Sequence, residues 1–215
     1  MGHGFPVFTG IGTGAGRVLS PCKEPFDFFI VHGIKDVKPG IGFGYLHGPN
    51  PGDHMKLEHD WIATVPDLIK DFGIETTSNS YDLDNAKVEI ARATQIYYSA
   101  MDTLSMCMFI FGPGNILSYD QIVQIVNGAT GFDFTFADLM KIGENAVQLQ
   151  RKLFLDFGGS DEKLLAFMEK EIPHGPTKGQ KIDRDDFEKT RKHYYSLWHW
   201  DNSGRPSQDI IDQIV

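Results

Sequence analysis

From residue 66 to the C-terminus, apolar positions recur every three or four residues with polar residues between them, whereas the first sixty residues show little periodicity. Residues 67–72 read as one short helix. Residues 84–106 carry Val88, Ala91, Ile96, Met101 and Leu104 three or five residues apart with polar residues between them, read as a long amphipathic helix with a largely buried face. Ser118 followed by Gln121 has the form of a capping box for a helix over 119–127 that Gly128 would stop. Thr135 with Asp138 opens another helix to about Phe157, carrying the stripe Leu139, Ile142, Ala146, Leu149, Leu153 and ending at Gly158-Gly159. Further helices are expected from Ser160 to Glu171, behind Asp183 as far as about Trp198, and behind Ser207 over 208–214. Upstream, the Gly- and Pro-rich stretch admits at most one or two short strands, at 28–32 and 42–46. The expected fold is all-α: a bundle-like helical domain over 61–215, preceded by an irregular segment over 1–60. So long an irregular stretch suggests packing against a region outside the chain.

Composition adds exclusions. The 215 residues are 41% hydrophobic and 23% charged, an ordinary globular balance. No run approaches the roughly 18 apolar residues of a membrane span, and the N-terminus lacks the organisation of a signal peptide, so a cytoplasmic protein is expected. A net charge of −9 argues against nucleic-acid binding. The most basic stretch, 184–192, interleaves Asp and Glu at helical spacing and reads as a solvated face. The chain has two cysteines, Cys22 and Cys107, far apart in sequence. A disulfide framework is not expected, and a four-iron cluster, which normally takes four thiolates, would have at most two from this chain.

The chemistry-bearing residues form an ordered series. Asp102-Thr-Leu-Ser-Met-Cys107 closes the long helix. After it come Gly131-Phe-Asp-Phe-Thr-Phe-Ala-Asp-Leu, Ile142-Gly-Glu, Leu149-Gln-Arg-Lys-Leu-Phe, Tyr194-Tyr195 and Trp200-Asp-Asn-Ser-Gly-Arg-Pro-Ser; Val31-His-Gly-Ile-Lys and Gly52-Asp-His-Met-Lys precede it. In order and spacing this set resembles the C-terminal region of the tungsten-pterin aldehyde:ferredoxin oxidoreductase family, from about Phe29 to the end.

The resemblance implies a part of a larger enzyme that oxidises a small aldehyde to a carboxylic acid and passes electrons to a ferredoxin-type carrier. The complete enzyme would hold tungsten (in relatives, molybdenum) between two pterins, with one 4Fe-4S cluster nearby. On this pattern Asp102 would bind a pterin edge, Cys107 would be the fourth cluster ligand, Met106 would pack against the pterin, Lys56 would supply a cationic contact to the cofactor, and His54 would shuttle a proton near the metal. A carboxylate can accept two parallel N–H bonds, and thiolate is the usual iron–sulfur ligand. Positions five apart on one helix diverge by about 140°, so Asp102 and Cys107 can serve adjoining groups only if the helix ends between them. Ser105 stands where the family usually has Gly, and Asn145 where it tends to have Arg. The family's Cys-x2-Cys-x3-Cys segment and pterin-cradling N-terminal domain have no counterpart in the chain. This chain alone is therefore expected to bind no cofactor and to be inactive without an N-terminal domain or subunit.

Other readings compete. The same helices could form a non-catalytic structural or interaction module that kept the fold without cofactors. His47, His54 and His59 fit no common zinc spacing. The glycines of 10–16 lack the strand, helix and acidic residue of a dinucleotide loop. Trp198, His199 and Trp200 read as packing at a helix end, and 106–111 as an apolar face left exposed where another domain would sit.

Overall fold

The computed structural model describes residues 39–47, 54–58, 60–79, 81–159, 164, 169–174 and 178–214, with only the backbone of Tyr45 and His54. The strand expected at 28–32 and most of the helix expected from Ser160 lie outside the described residues. Eight α-helices are described: α1 Pro39–His47, α2 Pro66–Ile69, α3 Asn85–Thr103, α4 Met108–Phe111, α5 Tyr119–Thr130, α6 Phe136–Asp156, α7 Arg184–Leu197 and α8 Gln208–Asp212. Short 3-10 turns lie at His54–Lys56, Asp60–Thr64 and Lys70–Phe72. The fold is all-α, and no strand occurs among the described residues.

Local chemistry sets most helix ends. The Asp84 side chain caps α3 by accepting from the Lys87 N–H, and Asp183 caps α7 from Asp185 and Asp186. Ser118–Gln121 and Thr135–Asp138 both form complete capping boxes. The expected stop at Gly128 is corrected. Helix α5 runs through Gly128 to Thr130, and the left-handed residue that ends it is Gly131, at φ +77°. Glycine alone does not stop a helix; the stop needs a residue in the left-handed region, and Gly131 takes it.

Residues 42–46 are also helical rather than a strand, lying within α1. Three glycines lower the intrinsic helix propensity of PGIGFGYLH, and tertiary contacts override it. The Asp60 carboxylate accepts from the N–H groups of Gly40 (2.9 Å) and Ile41 (3.0 Å), satisfying the start of the helix from twenty residues away. Gly44 lets Leu57 close in: a Cβ at Gly44 would lie 2.2 Å from a Leu57 methyl.

The long helix α3 is central. From Ala93 to Met101 every side chain is buried, so it is enclosed on all sides rather than amphipathic. Two of its buried polar side chains are hydrogen-bonded, Thr94 donating to the Ile90 carbonyl (3.0 Å) and the Gln95 side-chain oxygen accepting from the Tyr194 hydroxyl (2.6 Å). The Ser99 hydroxyl and the Gln95 amide nitrogen, by contrast, meet no partner among the described residues. The main packing is α3 against α6. The α6 face that is fully buried carries Leu139, Gly143, Val147, Arg151 and Phe154, whereas Leu153 is exposed. The apolar stripe expected from the sequence is therefore rotated by about one position, because the crossing needs the missing side chain of Gly143 and buries Arg151.

One core cluster joins Phe43 and Leu46 of α1 to Val88, Ile96, Val147, Phe187, Tyr194, Trp198 and Trp200. Trp198 and Trp200 stack at 5.4 Å with planes 13° apart. The Arg92 guanidinium lies 4.5 Å from the Trp198 ring and that of Arg151 lies 4.7 Å from Trp200, giving a cation–indole–indole–cation column. His199, between the tryptophans, sits at φ +56° and turns the chain so that both rings can face each other. Trp198 and Trp200 pack at a helix end, as expected, whereas His199 is exposed. A second cluster gathers Tyr97, Tyr98, Met101, Met108, Ile122, Val126 and Leu139 around the end of α3.

Candidate functional site

The C-terminal end of α3 is where sequence-expected site residues meet. Helix α3 stops at Thr103; the Ser105 N–H donates to the Asp102 carbonyl (3.0 Å) and the Met106 N–H to the Met101 carbonyl (2.8 Å). That pair of bonds is a Schellman motif, and its left-handed residue is Ser105, at φ +58°. The helix thus ends between Asp102 and Cys107, the condition on which their separate roles depend. Serine fills a position that glycine fits with less strain, so Ser105→Gly is expected to stabilise the chain by about 0.5–1 kcal/mol in urea unfolding. A loss of stability would show that the Ser105 side chain has a role of its own.

Past the turn, Met106 is half-buried against the second cluster, and Cys107 is exposed as a free thiol. The Cys107 carbonyl accepts from Ile110 and Phe111 at the start of α4 (both 3.0 Å). Beside it Phe109 is 79% exposed and Ile110 43% exposed, while Met108 is buried. The apolar surface expected over 106–111 is present in those two residues.

Lys56 and Asp102, 46 residues apart, form an ion pair of 2.5 Å, partly open to solvent on both sides. Lys56 closes the 3-10 turn His54–Lys56; the His54 side chain lies outside the described residues. Next to this pair is a residue that sequence reasoning missed. Glu58 accepts from the Tyr98 hydroxyl (2.5 Å) and from the Trp61 indole N–H (3.1 Å). Burial, then the Glu58 charge and its hydrogen bond, push the Tyr98 phenol far above its ordinary 10.0, so it remains a donor. Burial likewise raises Tyr97 and Tyr119. No sequence signal marks the pair: Glu58, two residues after Lys56, meets Tyr98, one helical turn before Asp102, only once the two segments lie side by side.

Farther along α3, Lys87 and Asp60 make a buried ion pair of 2.8 Å. Lys87 also donates to the Asn79 carbonyl (2.9 Å). Segment 56–60 therefore runs antiparallel to α3, pairing Lys56 with Asp102, Glu58 with Tyr98 and Asp60 with Lys87. Leu57 is buried between them in a cluster with Ile41 and Ala91. Asn145, on α6, is half-buried. His47 is fully buried, its ring 4.7 Å from Phe43 and 5.2 Å from Phe187. Among the described residues no group of three or more His, Cys, Asp or Glu is placed to hold a metal ion by itself, and no helix is long and apolar enough to cross a membrane.

The chain is similar in sequence to known proteins. The family described as "Aldehyde ferredoxin oxidoreductase, domains 2 & 3" matches residues 33–214. The tungsten-containing aldehyde ferredoxin oxidoreductase of Pyrococcus furiosus is 26% identical over 180 residues, covering 81% of this chain and 27% of that protein. Its counterpart from Thermococcus kodakarensis is 27% identical with the same coverage. An aliphatic sulfonate oxidoreductase, WOR-like subunit, of Pyrococcus furiosus is 29% identical over 214 residues, covering 94% of this chain and 32% of the relative. The chain thus spans about a quarter to a third of the length of the curated relatives it matches. With its family match extending over most of its length, the chain belongs to the aldehyde ferredoxin oxidoreductase family, in the region of domains 2 and 3.

Proposed function

We propose that this chain is the helical part of a tungsten-pterin oxidoreductase that converts an aldehyde to a carboxylic acid and delivers two electrons to a ferredoxin-type carrier. The observation that carries the reading is the family match over residues 33–214, joined to a helix end that separates Asp102 from Cys107. The residues at that end fit the groups. Asp102 offers a partly exposed carboxylate, already held by a cation, and Cys107 offers an exposed thiol beyond the turn.

When bound, the tungsten-pterin and its iron–sulfur partner supply the oxygen and electron transfer. The chain's residues bind and orient. Asp102 accepts N–H bonds from a pterin edge, Lys56 balances its charge and reaches cofactor phosphate, and Met106 packs beside the pterin. Cys107 supplies one thiolate to the cluster, and the other three come from outside the chain. His54 holds or gives up a proton near the reacting oxygen, a task suited to an imidazole. Phe109 and Ile110 cover the site from this side and exclude water. On its own the chain is inactive and needs the rest of the enzyme.

The test is made in the assembled enzyme, after co-expression with the part that supplies the other ligands. Cys107→Ser is expected to lower iron content more than pterin content, because serine oxygen replaces a soft thiolate poorly. Asp102→Ala is expected to do the reverse, weakening pterin retention by about 1–3 kcal/mol through unpaired N–H donors. Iron, tungsten and pterin are counted side by side with aldehyde turnover. Full cofactor content and unchanged turnover in both variants would remove the assignment.

A further inference from the structure

The Lys56–Asp102 pair is partly solvent-exposed, and such pairs hold their geometry weakly by themselves. Something must fix the turn that carries Lys56. Leu57, the next residue, is buried, and Asp60 is held by Lys87 and by the Gly40 and Ile41 N–H groups; between these anchors lies Glu58. Glu58 supplies a restraint at the turn itself. One carboxylate oxygen accepts from Trp61 on the following turn, and the other accepts from Tyr98, four residues before Asp102 on the same face of α3. Tyr98 is itself fixed: it is buried, and its ring packs beside Tyr97 at 6.4 Å.

We infer that Glu58 is a positioning residue: by tying Tyr98 to Trp61 it sets the turn so that the Lys56 ammonium meets the Asp102 carboxylate. This deepens the proposed roles of Lys56 and Asp102 and rests on that reading for its functional meaning. Glu58 acts through Lys56 rather than by touching a cofactor. Its chemistry is specific, because two N–H and O–H donors converge on one residue. An amide in its place has a single oxygen to offer them and turns its own NH2 toward the other donor.

The test uses the cofactor-free chain, so its outcome is separate from whether pterin loads. Lysine acylation by acetic anhydride is followed site by site with mass spectrometry. Lys141 and Lys189, exposed and paired within their own helices, serve as internal references. Tyr98→Phe and Glu58→Ala are each expected to raise the Lys56 rate about fivefold relative to the references, toward the rate in Asp102→Ala. Tyr98→Phe keeps the ring packing and decides the matter if Glu58→Ala disturbs the fold. A Lys56 rate unchanged in Tyr98→Phe, with Asp102→Ala still raising it, overturns the inference. A raised Lys56 rate together with unaltered cofactor content in Asp102→Ala enzyme would uphold the positioning role and defeat the proposed function instead.

Discussion

Lys87→Met is expected to destabilise the chain by about 3–5 kcal/mol, the usual range for breaking one side of a buried ion pair. The Lys87 and Asp60 side chains are 3% and 1% exposed. Methionine keeps the length and removes the charge, leaving the buried Asp60 carboxylate, among the described residues, with the N–H groups of Gly40 and Ile41 as its hydrogen-bond donors. Because Asp60 also caps α1, the loss should be felt there as well as at α3, and hydrogen exchange at residues 39–47 should accelerate. The pair itself is not a large net source of stability: removing both charges with Lys87→Met and Asp60→Leu should recover part of the loss. Urea unfolding followed by circular dichroism measures all three variants. A cost below about 1 kcal/mol for Lys87→Met would mean that water or another group neutralises Asp60.

Gly143→Ala is expected to cost about 3 kcal/mol, at the upper end for overpacking. A Cβ at this position would lie 2.0 Å from the Ile96 carbonyl oxygen and 2.9 Å from the Ala100 nitrogen. Both are backbone atoms in the middle of α3, which cannot turn aside as a side chain could. Relief requires α3 and α6 to separate along the main packing surface of the fold. Gly128→Ala is the contrast. A Cβ there meets nothing within 4 Å, so the change should stabilise α5 by about 0.5–1 kcal/mol. Equal effects at the two glycines would show that helix propensity, not the close crossing, governs position 143.

These residues also explain which parts of the architecture could be recognised in advance. Capping boxes at Ser118 and Thr135, the cap at Asp183 and the stop at Gly158-Gly159 are local chemistry, visible within four residues. The helix over 39–47 was not legible, because its start is satisfied by Asp60, twenty residues on, and its glycines matter for what they admit rather than for what they form. The orientation of α6 was misread for a similar reason. A hydrophobic pattern gives no weight to Gly143 and assigns Arg151 to the surface, yet Arg151 is fully buried, donating to the Gly204 carbonyl at 2.7 Å. At the candidate site, Asp102, Met106, Cys107 and Lys56 emerged from an ordered motif, and the ion pair joins two of them. Glu58 and Tyr98 stayed hidden, since a lone Glu and a lone Tyr carry no signal until the chain lays segment 56–60 along α3.

The cation–indole column has an optical consequence. The chain has three tryptophans. Two of them, Trp198 and Trp200, are stacked and buried between Arg92 and Arg151, so their transitions couple and their surroundings change little until the core opens. The third, Trp61, is 44% exposed and bonded to Glu58. The native protein therefore separates its own spectroscopic signals. Exciton-coupled near-ultraviolet circular dichroism from the stacked pair reports on the core, while solvent-sensitive emission from Trp61 reports on the surface beside Lys56 and Asp102. Docking of another domain over that surface can be followed without a label, as a shift in one indole while the other two stay silent.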